Sequence, residues 1–211
     1  MKILDISWSL SNATVEYKDK KTIEFEQIKK FDRDEIRETR IRLCSHSGTH
    51  VDAPAHFLKE GETIDKVPLE SYIGECIVLD MTKAGECITA EQLEAQTIRE
   101  GDIVLLKTTN SALKSTGNFN KGFVYLDVSG AHYLVEQKIR AVGIDYLGIE
   151  RGQKGHLTHW ELFTNNITII EGLRLKTVEP GAYFLCCLPL SVIGLEAAPA
   201  RAILIQSDEE K

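Results

Sequence analysis

The chain has 211 residues, 43% hydrophobic and 27% charged, with Lys+Arg 25 against Asp+Glu 32 and a formal charge of −7. Those proportions exclude a chain disordered by default, and the acidic balance excludes a protein held on nucleic acid by phosphate neutralisation. At this length one core in a single domain, residues 1–211, is expected.

The opening Met1-Lys2-Ile3-Leu4-Asp5-Ile6 carries an acid inside its apolar run, so it reads as a first strand and not as a signal peptide. Further β-branched runs follow at 22–28 and 39–44, the latter alternating as Arg40-Ile41-Arg42-Leu43 in the manner of a half-exposed strand. Runs at 76–80, 103–107, 123–127, 141–145, 166–170, 182–188 and 202–206 complete the set. Those at 103–107 and 123–127 are nearly continuous in apolar residues, as strands buried on both faces are.

Helices are fewer. A capping box of Thr89 and Gln92 opens one over 90–99, stopped by Gly101. A second covers 129–138, and Thr158 with Glu161 signals a short third ending near Asn165. Many strands with few helices imply an α/β fold built on a mixed sheet.

The stretch 182–195 is too short to span a bilayer and is broken by Pro189 and Gly194, so no membrane partner is expected. A tail-like segment occupies 207–211. The five cysteines (Cys44, Cys76, Cys87, Cys186, Cys187) are odd in number without C-x-x-C spacing, which fits buried thiols in a reducing cytoplasm. No G-x-G-x-x-G or G-K-[ST] element follows a strand, so nucleotide binding has no local support.

Three of the six histidines fall in one window, Ser45-His46-Ser47-Gly48-Thr49-His50-Val51-Asp52-Ala53-Pro54-Ala55-His56. Gly48 and Pro54 oppose a helix there, and a loop leaving the strand at Cys44 is expected. His50 and Asp52, two apart, share a side if the backbone stays extended, and His46 folds back over the glycine to join them. Two imidazoles and a carboxylate suit Zn or Mn and leave a coordination position open for water. His56, four residues beyond Asp52, is placed to act as general acid or base.

The pattern H-x-G-T-H-x-D-x-P-x-H resembles the signature of the cyclase family of metal-dependent hydrolases, which includes bacterial kynurenine formamidases and isatin hydrolases. Every fixed position is present: His46, Gly48, Thr49, His50, Asp52, Pro54 and His56. The resemblance extends through Asp5-Ile6-Ser7, Val142-Gly143-Ile144-Asp145, Leu188-Pro189-Leu190 and Ala198-Pro199-Ala200-Arg201-Ala202.

It implies a swivelling β/β/α domain, a homodimer or tetramer, and a small-molecule substrate with an amide, lactam or related C–N bond. It also implies one or two divalent ions, the first on His46, His50 and Asp52. The second would share Asp52 and take His159 and Glu171, which stand twelve residues apart. His156 competes locally with His159 for that role.

Two departures bear on substrate. His159-Trp160 stands where the family usually pairs histidines, and Thr14-Val15-Glu16-Tyr17-Lys18-Asp19 replaces the Pro-x-Trp-Pro-Gly-Asp-like stretch of kynurenine formamidases. Tyr17 is then the candidate substrate-contacting aromatic, and the assignment stops at a metal-dependent hydrolase. Asp145 could be an acceptor behind the ligands or a structural acid. Trp8 is expected in the core, His132 exposed or capping on its helix, and Arg201 is a candidate holder of a product carboxylate. Ser47 and Ser191 lack a G-x-S-x-G context. The reading from another class is a non-catalytic protein that binds a metal and a small acid.

Overall fold

The computed structural model describes residues 1–206, so the tail-like segment lies outside the described residues. In chain order the strands are β1 (Lys2–Asp5), β2 (Glu24–Lys29), β3 (Glu38–Arg42), β4 (His50–Asp52), β5 (Ile73–Asp80), β6 (Cys87–Ile88), β7 (Ile103–Lys107), β8 (Tyr125–Leu126), β9 (Ala141–Ile144), β10 (Thr168–Glu171), β11 (Gly181–Pro189) and β12 (Ala197–Gln206). The α-helices are α1 (Phe31–Asp34), α2 (Ala90–Glu94), α3 (Val128–Glu136) and α4 (Leu157–Thr164).

Eight strands form one mixed sheet in the order β1-β12-β11-β5-β7-β9-β10-β4. β5, β7, β9 and β10 run parallel to one another, whereas β11, β12, β1 and β4 pair antiparallel. The long β12 has β11 along one edge. Its other edge is shared, with β1 against 203–206 and β4 against 197–199. Because β4 also pairs with β10, the sheet closes on itself, which removes two open edges.

Side chains alternate across the strands. Ile103 and Leu105 of β7 point into the closed sheet with Val51, Ile170, Leu185 and Leu204. Val104 and Leu106 face outward against Leu93, Leu134 and Leu162 of α2, α3 and α4. That double burial is why 103–107 reads as a continuous apolar run. Inside the closed sheet the fit is tight: a Cβ on Gly143 would stand 2.7 Å from both Leu105 and Leu173 side chains. A third cluster of Trp8, Val15, Phe119, Phe123, Tyr146 and Leu147 anchors the N-terminal loop, and Trp8 is buried there as expected.

Several elements differ from the expectations. α2 has its capping box but stops at Glu94, because Leu93 is its one buried residue and no apolar stripe holds a further turn. Thr158 is not a cap: α4 starts at Leu157 behind the left-handed His156, and the Thr158 hydroxyl donates to the Leu126 carbonyl at 3.0 Å. The run 123–127 is strand at Tyr125–Leu126 alone. At Val124 the Asn110 amide takes the place of a ladder, donating to the carbonyl at 2.7 Å and accepting from the N–H at 2.8 Å. The histidine window is not all loop, since His50–Asp52 forms β4. The hairpin β2–β3 pairs only with itself among the described strands, and every residue of β3 is exposed.

Candidate active site

β4 is held on both edges, by β10 and β12. In its register with β10, His50 lies opposite Glu171 and Asp52 opposite Ile169. Opposed residues share a face, and so do residues two apart, so His50, Asp52 and Glu171 converge on one side. The chain enters β4 through Gly48 at φ +64, where a left-handed turn favours glycine. Gly172, at φ +72, passes so close that an added Cβ would sit 2.2 Å from the Gly48 carbonyl oxygen. Thr49 locks the crossing by donating to the Gly172 carbonyl at 2.6 Å while accepting from the Trp8 N–H at 2.7 Å. The Gly-Thr of the motif is therefore a backbone clasp that aims His50.

His46 comes from the turn before β4, and His56 closes a single 3₁₀ turn at Pro54–His56. His46 Nδ1 lies 2.9 Å from Asp52 Oδ1, and His50 Nε2 lies 3.4 Å from the same oxygen and 3.3 Å from Glu171 Oε2. α4 brings His159, with Nε2 3.9 Å from Asp52 Oδ2 and 3.7 Å from Glu171 Oε1. His50 Nδ1 is 2.9 Å from the Gly48 carbonyl, which fixes Nδ1 as the protonated nitrogen and leaves Nε2 facing the carboxylates. The His56 ring stacks beside His46 at 4.2 Å between centroids.

The electrostatics follow from burying two carboxylates side by side. Burial alone would lower the imidazoles, but Asp52 and Glu171 outweigh it at His50, and Glu150 followed by Glu171 and Asp52 outweighs it at His159, raising both to about 9. Burial would likewise raise Glu171, yet the protonated His159 and His50 beside it hold it far below the carboxylate range. His56 shifts the other way: burial pushes it below its usual value, so it is neutral near pH 7.

The site's buried polar atoms are not all satisfied internally. His46 Nε2, His50 Nε2, both Asp52 oxygens and His159 Nδ1 have no aligned hydrogen-bond partner. Orphaned, desolvated donors and acceptors are costly, and a nitrogen–oxygen set around two carboxylates suits a borderline divalent cation. The residues therefore fit a metal. The groupings compact enough for one ion include His50, Asp52 and Glu171, and His46, Asp52 and His56.

Two acids were missed by sequence reasoning. Glu150 is buried beneath His159, its Oε2 3.3 Å from Nδ1, and its other oxygen is bonded by His156 Nδ1. His156 thus faces Glu150 and away from Asp52, while His159 faces the Asp52–Glu171 pair. Glu196 accepts from the Ser45 hydroxyl at 2.6 Å and stands 3.2 Å from His46 Nε2. Neither acid lies in a patterned stretch; the one trace of Glu150 is its position after the apolar Leu147-Gly148-Ile149.

A cavity of about 200 Å³ opens over this cluster, lined by its His46, His56, His159 and Glu171 and by Phe57, Leu147 and Tyr17. Tyr17 is lodged against Phe119, and its hydroxyl is raised by burial and then by the Glu171 and Glu150 charges. Asp145 lies apart from the cluster as a structural acid, accepting from the backbone N–H and hydroxyl of both Thr108 and Ser111. Arg201 is spent in an exposed pair with Asp5 at 2.6 Å, and His132 is exposed between Glu136 and Glu161. Arg201 does not line this cavity.

The cyclase family, described as "Putative cyclase", matches residues 4–151. The chain belongs to that family. This cyclase-family chain is 31% identical over 207 residues to "Kynurenine formamidase" of Salinibacter ruber, covering 97% of both chains. A solved structure described as "Potential Metal-Dependent Hydrolase With Cyclase Activity" superposes with a TM-score of 0.89 at 39% identity, covering 98% of each chain. Isatin hydrolase A of Labrenzia aggregata superposes with a TM-score of 0.83 at 21% identity, covering 98% of this chain and 94% of that one, a likeness of fold. The closed mixed sheet with few helices is the cyclase-family architecture.

Proposed function

We infer that this cyclase-family chain is a metal-dependent hydrolase that cleaves an amide, lactam or formamide C–N bond of a small molecule. The observation that carries the reading is the buried His/Asp/Glu cluster between β4 and β10 whose polar atoms lack partners and whose open side is the cavity. Support also comes from the names of its relatives, kynurenine formamidase and isatin hydrolase.

His46, His50 and Asp52 would hold one divalent ion, Zn or Mn, and Asp52, His159 and Glu171 a second where two bind. When bound, the metal supplies Lewis acidity and lowers the pKa of water toward about 7. The chain's own part is positioning and proton transfer. The Gly48 carbonyl fixes the His50 tautomer, and the Ile149 N–H holds Glu171 Oε1 at 2.6 Å. Neutral His56 takes the proton of the attacking water and returns it to the departing nitrogen as oxygen bonds to the carbonyl carbon and the C–N bond breaks, leaving a carboxylate and an amine. Tyr17, Phe57 and Leu147 offer flat apolar walls to the body of the substrate, with Tyr17 the substrate-contacting aromatic.

The same reading takes residues 1–211 as one domain working as a homodimer or tetramer in the cytoplasm. The exposed hairpin supports assembly, since a free two-stranded hairpin is marginal and this one displays Phe31, Ile36 and Ile41, each at least half exposed. The five free thiols fit a reducing compartment. No helix among the described residues is long and apolar enough to cross a membrane.

The test is turnover of N-formylated aromatic amines, isatin and cyclic imides after chelation and after readdition of Zn or Mn. The expected result is loss with chelator and recovery with metal. Undiminished hydrolysis in chelator would overturn the metal mechanism. Tight metal binding without turnover of any amide would favour the binding-protein alternative.

A further inference from the structure

The outer end of the cavity is built differently from its floor. Besides Tyr17, its wall there includes Lys18 and Lys20. Both belong to a short loop twisted by left-handed backbone at Lys18, Asp19 and Lys21, with φ values of 54, 57 and 55. The loop is pinned from below: Tyr17 packs edge-on against Phe119 at 4.9 Å, and the Asp19 carboxylate accepts from the Phe119 N–H at 2.8 Å. The Glu16 carboxylate is turned inward, accepting from the backbone N–H of Thr22 at 2.7 Å and of Ile23 at 3.2 Å.

The two acids that flank these lysines are therefore held by backbone N–H groups. Among the described residues neither Lys18 nor Lys20 has an ion-pair partner, although the Lys18 ammonium rests 5.1 Å from the Tyr17 ring centroid. Tyr17 and Lys18 also line an adjoining hollow with Asp19, Lys121 and Arg151, the last paired with Glu86. In a chain of net charge −7, two ammonium groups without an ion-pair partner at the mouth of the site offer an anionic substituent a local partner.

We propose that Lys18 and Lys20 select substrates bearing a carboxylate, whose anionic group sits at the rim while the scissile amide lies over the His46–Glu171 end of the cavity. This rests on the hydrolase reading above and sharpens it to a substrate class: small planar amides with an acidic substituent. The cavity's size suits this arrangement, since about 200 Å³ holds one aromatic ring with its substituents and brings rim and floor within the reach of a single small molecule. A cation at a half-exposed rim acts on encounter and on KM more than on the chemical step.

The experiment compares metal-loaded wild type with Lys18→Ala/Lys20→Ala and Lys20→Glu on a matched pair, 2-formamidobenzoate and 2-formamidobenzamide. The expected result is a fall of roughly five- to tenfold in the carboxylate-to-carboxamide ratio of kcat/KM in the double variant, carried by KM, and a larger fall in Lys20→Glu. Wild type should lose the same preference as salt rises from about 0.05 M to about 0.5 M. An unchanged ratio in both variants overturns the proposal.

If the wild type turns over neither compound, the hydrolase reading is the one in trouble, and the lysines are judged by calorimetry. 2-Aminobenzoate should then bind wild type several-fold tighter than the double variant, with 2-aminobenzamide showing no such difference. Equal affinities, or no binding of the carboxylate to wild type, count against the lysines.

Discussion

The floor and the rim of the cavity are made by opposite means. At the floor, His50, Asp52 and Glu171 stand on β4 and β10, strands paired on their flanks and clasped by Gly48, Thr49 and Gly172. At the rim, Tyr17, Lys18 and Lys20 stand on a loop whose shape comes from left-handed turns and side-chain-to-backbone bonds. Sheet backbone fixes atoms to a fraction of an ångström, which metal ligation needs, whereas a loop can vary without disturbing the fold. On the proposed reading, the chemistry is anchored in the sheet and the choice of substrate falls to a loop.

Substitutions should separate the two ends. The largest effect is expected at Asp52, which the proposed function places in both ion positions: Asp52→Asn should abolish stoichiometric metal by elemental analysis and lower turnover by more than about a hundredfold. His56→Ala should cost about 10²- to 10⁴-fold in kcat while metal content stays near wild type, if its proposed part in proton transfer is right. Loss of metal in that variant would move His56 into the ligand set. Glu150→Gln removes the charge behind His159 Nδ1 and should weaken metal binding by about 10- to 100-fold, read by competition with a chelating dye.

At the rim, Tyr17→Ala should raise KM by about tenfold with metal affinity preserved. A change in metal affinity there would break the division between floor and rim.

The floor also sets a pH dependence. In the metal-free protein His50 and His159 are raised to about 9, so both carry protons at neutral pH. An incoming cation must displace them, so metal affinity should climb as pH rises from about 7 and level off above about 9. Calorimetry in buffers of different ionisation enthalpy should record proton release at pH 7 that shrinks toward pH 9. Affinity that falls with rising pH would contradict these charge states.

The floor was the more legible end in the sequence. Seven chemically demanding positions within eleven residues left little room for another reading, and His159 and Glu171 followed from the family spacing. The buried runs at 103–107 and 141–145 were legible because both faces are covered.

What closes the sheet was not legible. β4 is three residues long and two of them are polar, so it carries no strand periodicity, and β12 runs through Pro199. Thr158 and Glu161 mimicked a cap, but a left-handed His156 had already turned the chain, and Glu161 reaches His132 on α3. Glu150 escaped because its role depends on α4 folding back over it, a contact that no local pattern encodes. Nothing local marks the rim lysines, because their place at the cavity mouth depends on how Tyr17, Glu16 and Asp19 pin the loop.

The most direct test of the account is a crystal structure of the metal-loaded protein with anomalous scattering recorded at the metal edge. The expected result is a peak bounded by His46, His50 and Asp52, a second, where two ions bind, bounded by Asp52, His159 and Glu171, and His56 unligated beside them. A peak held instead by Glu150, His156 and His159, or none near Asp52, would contradict it.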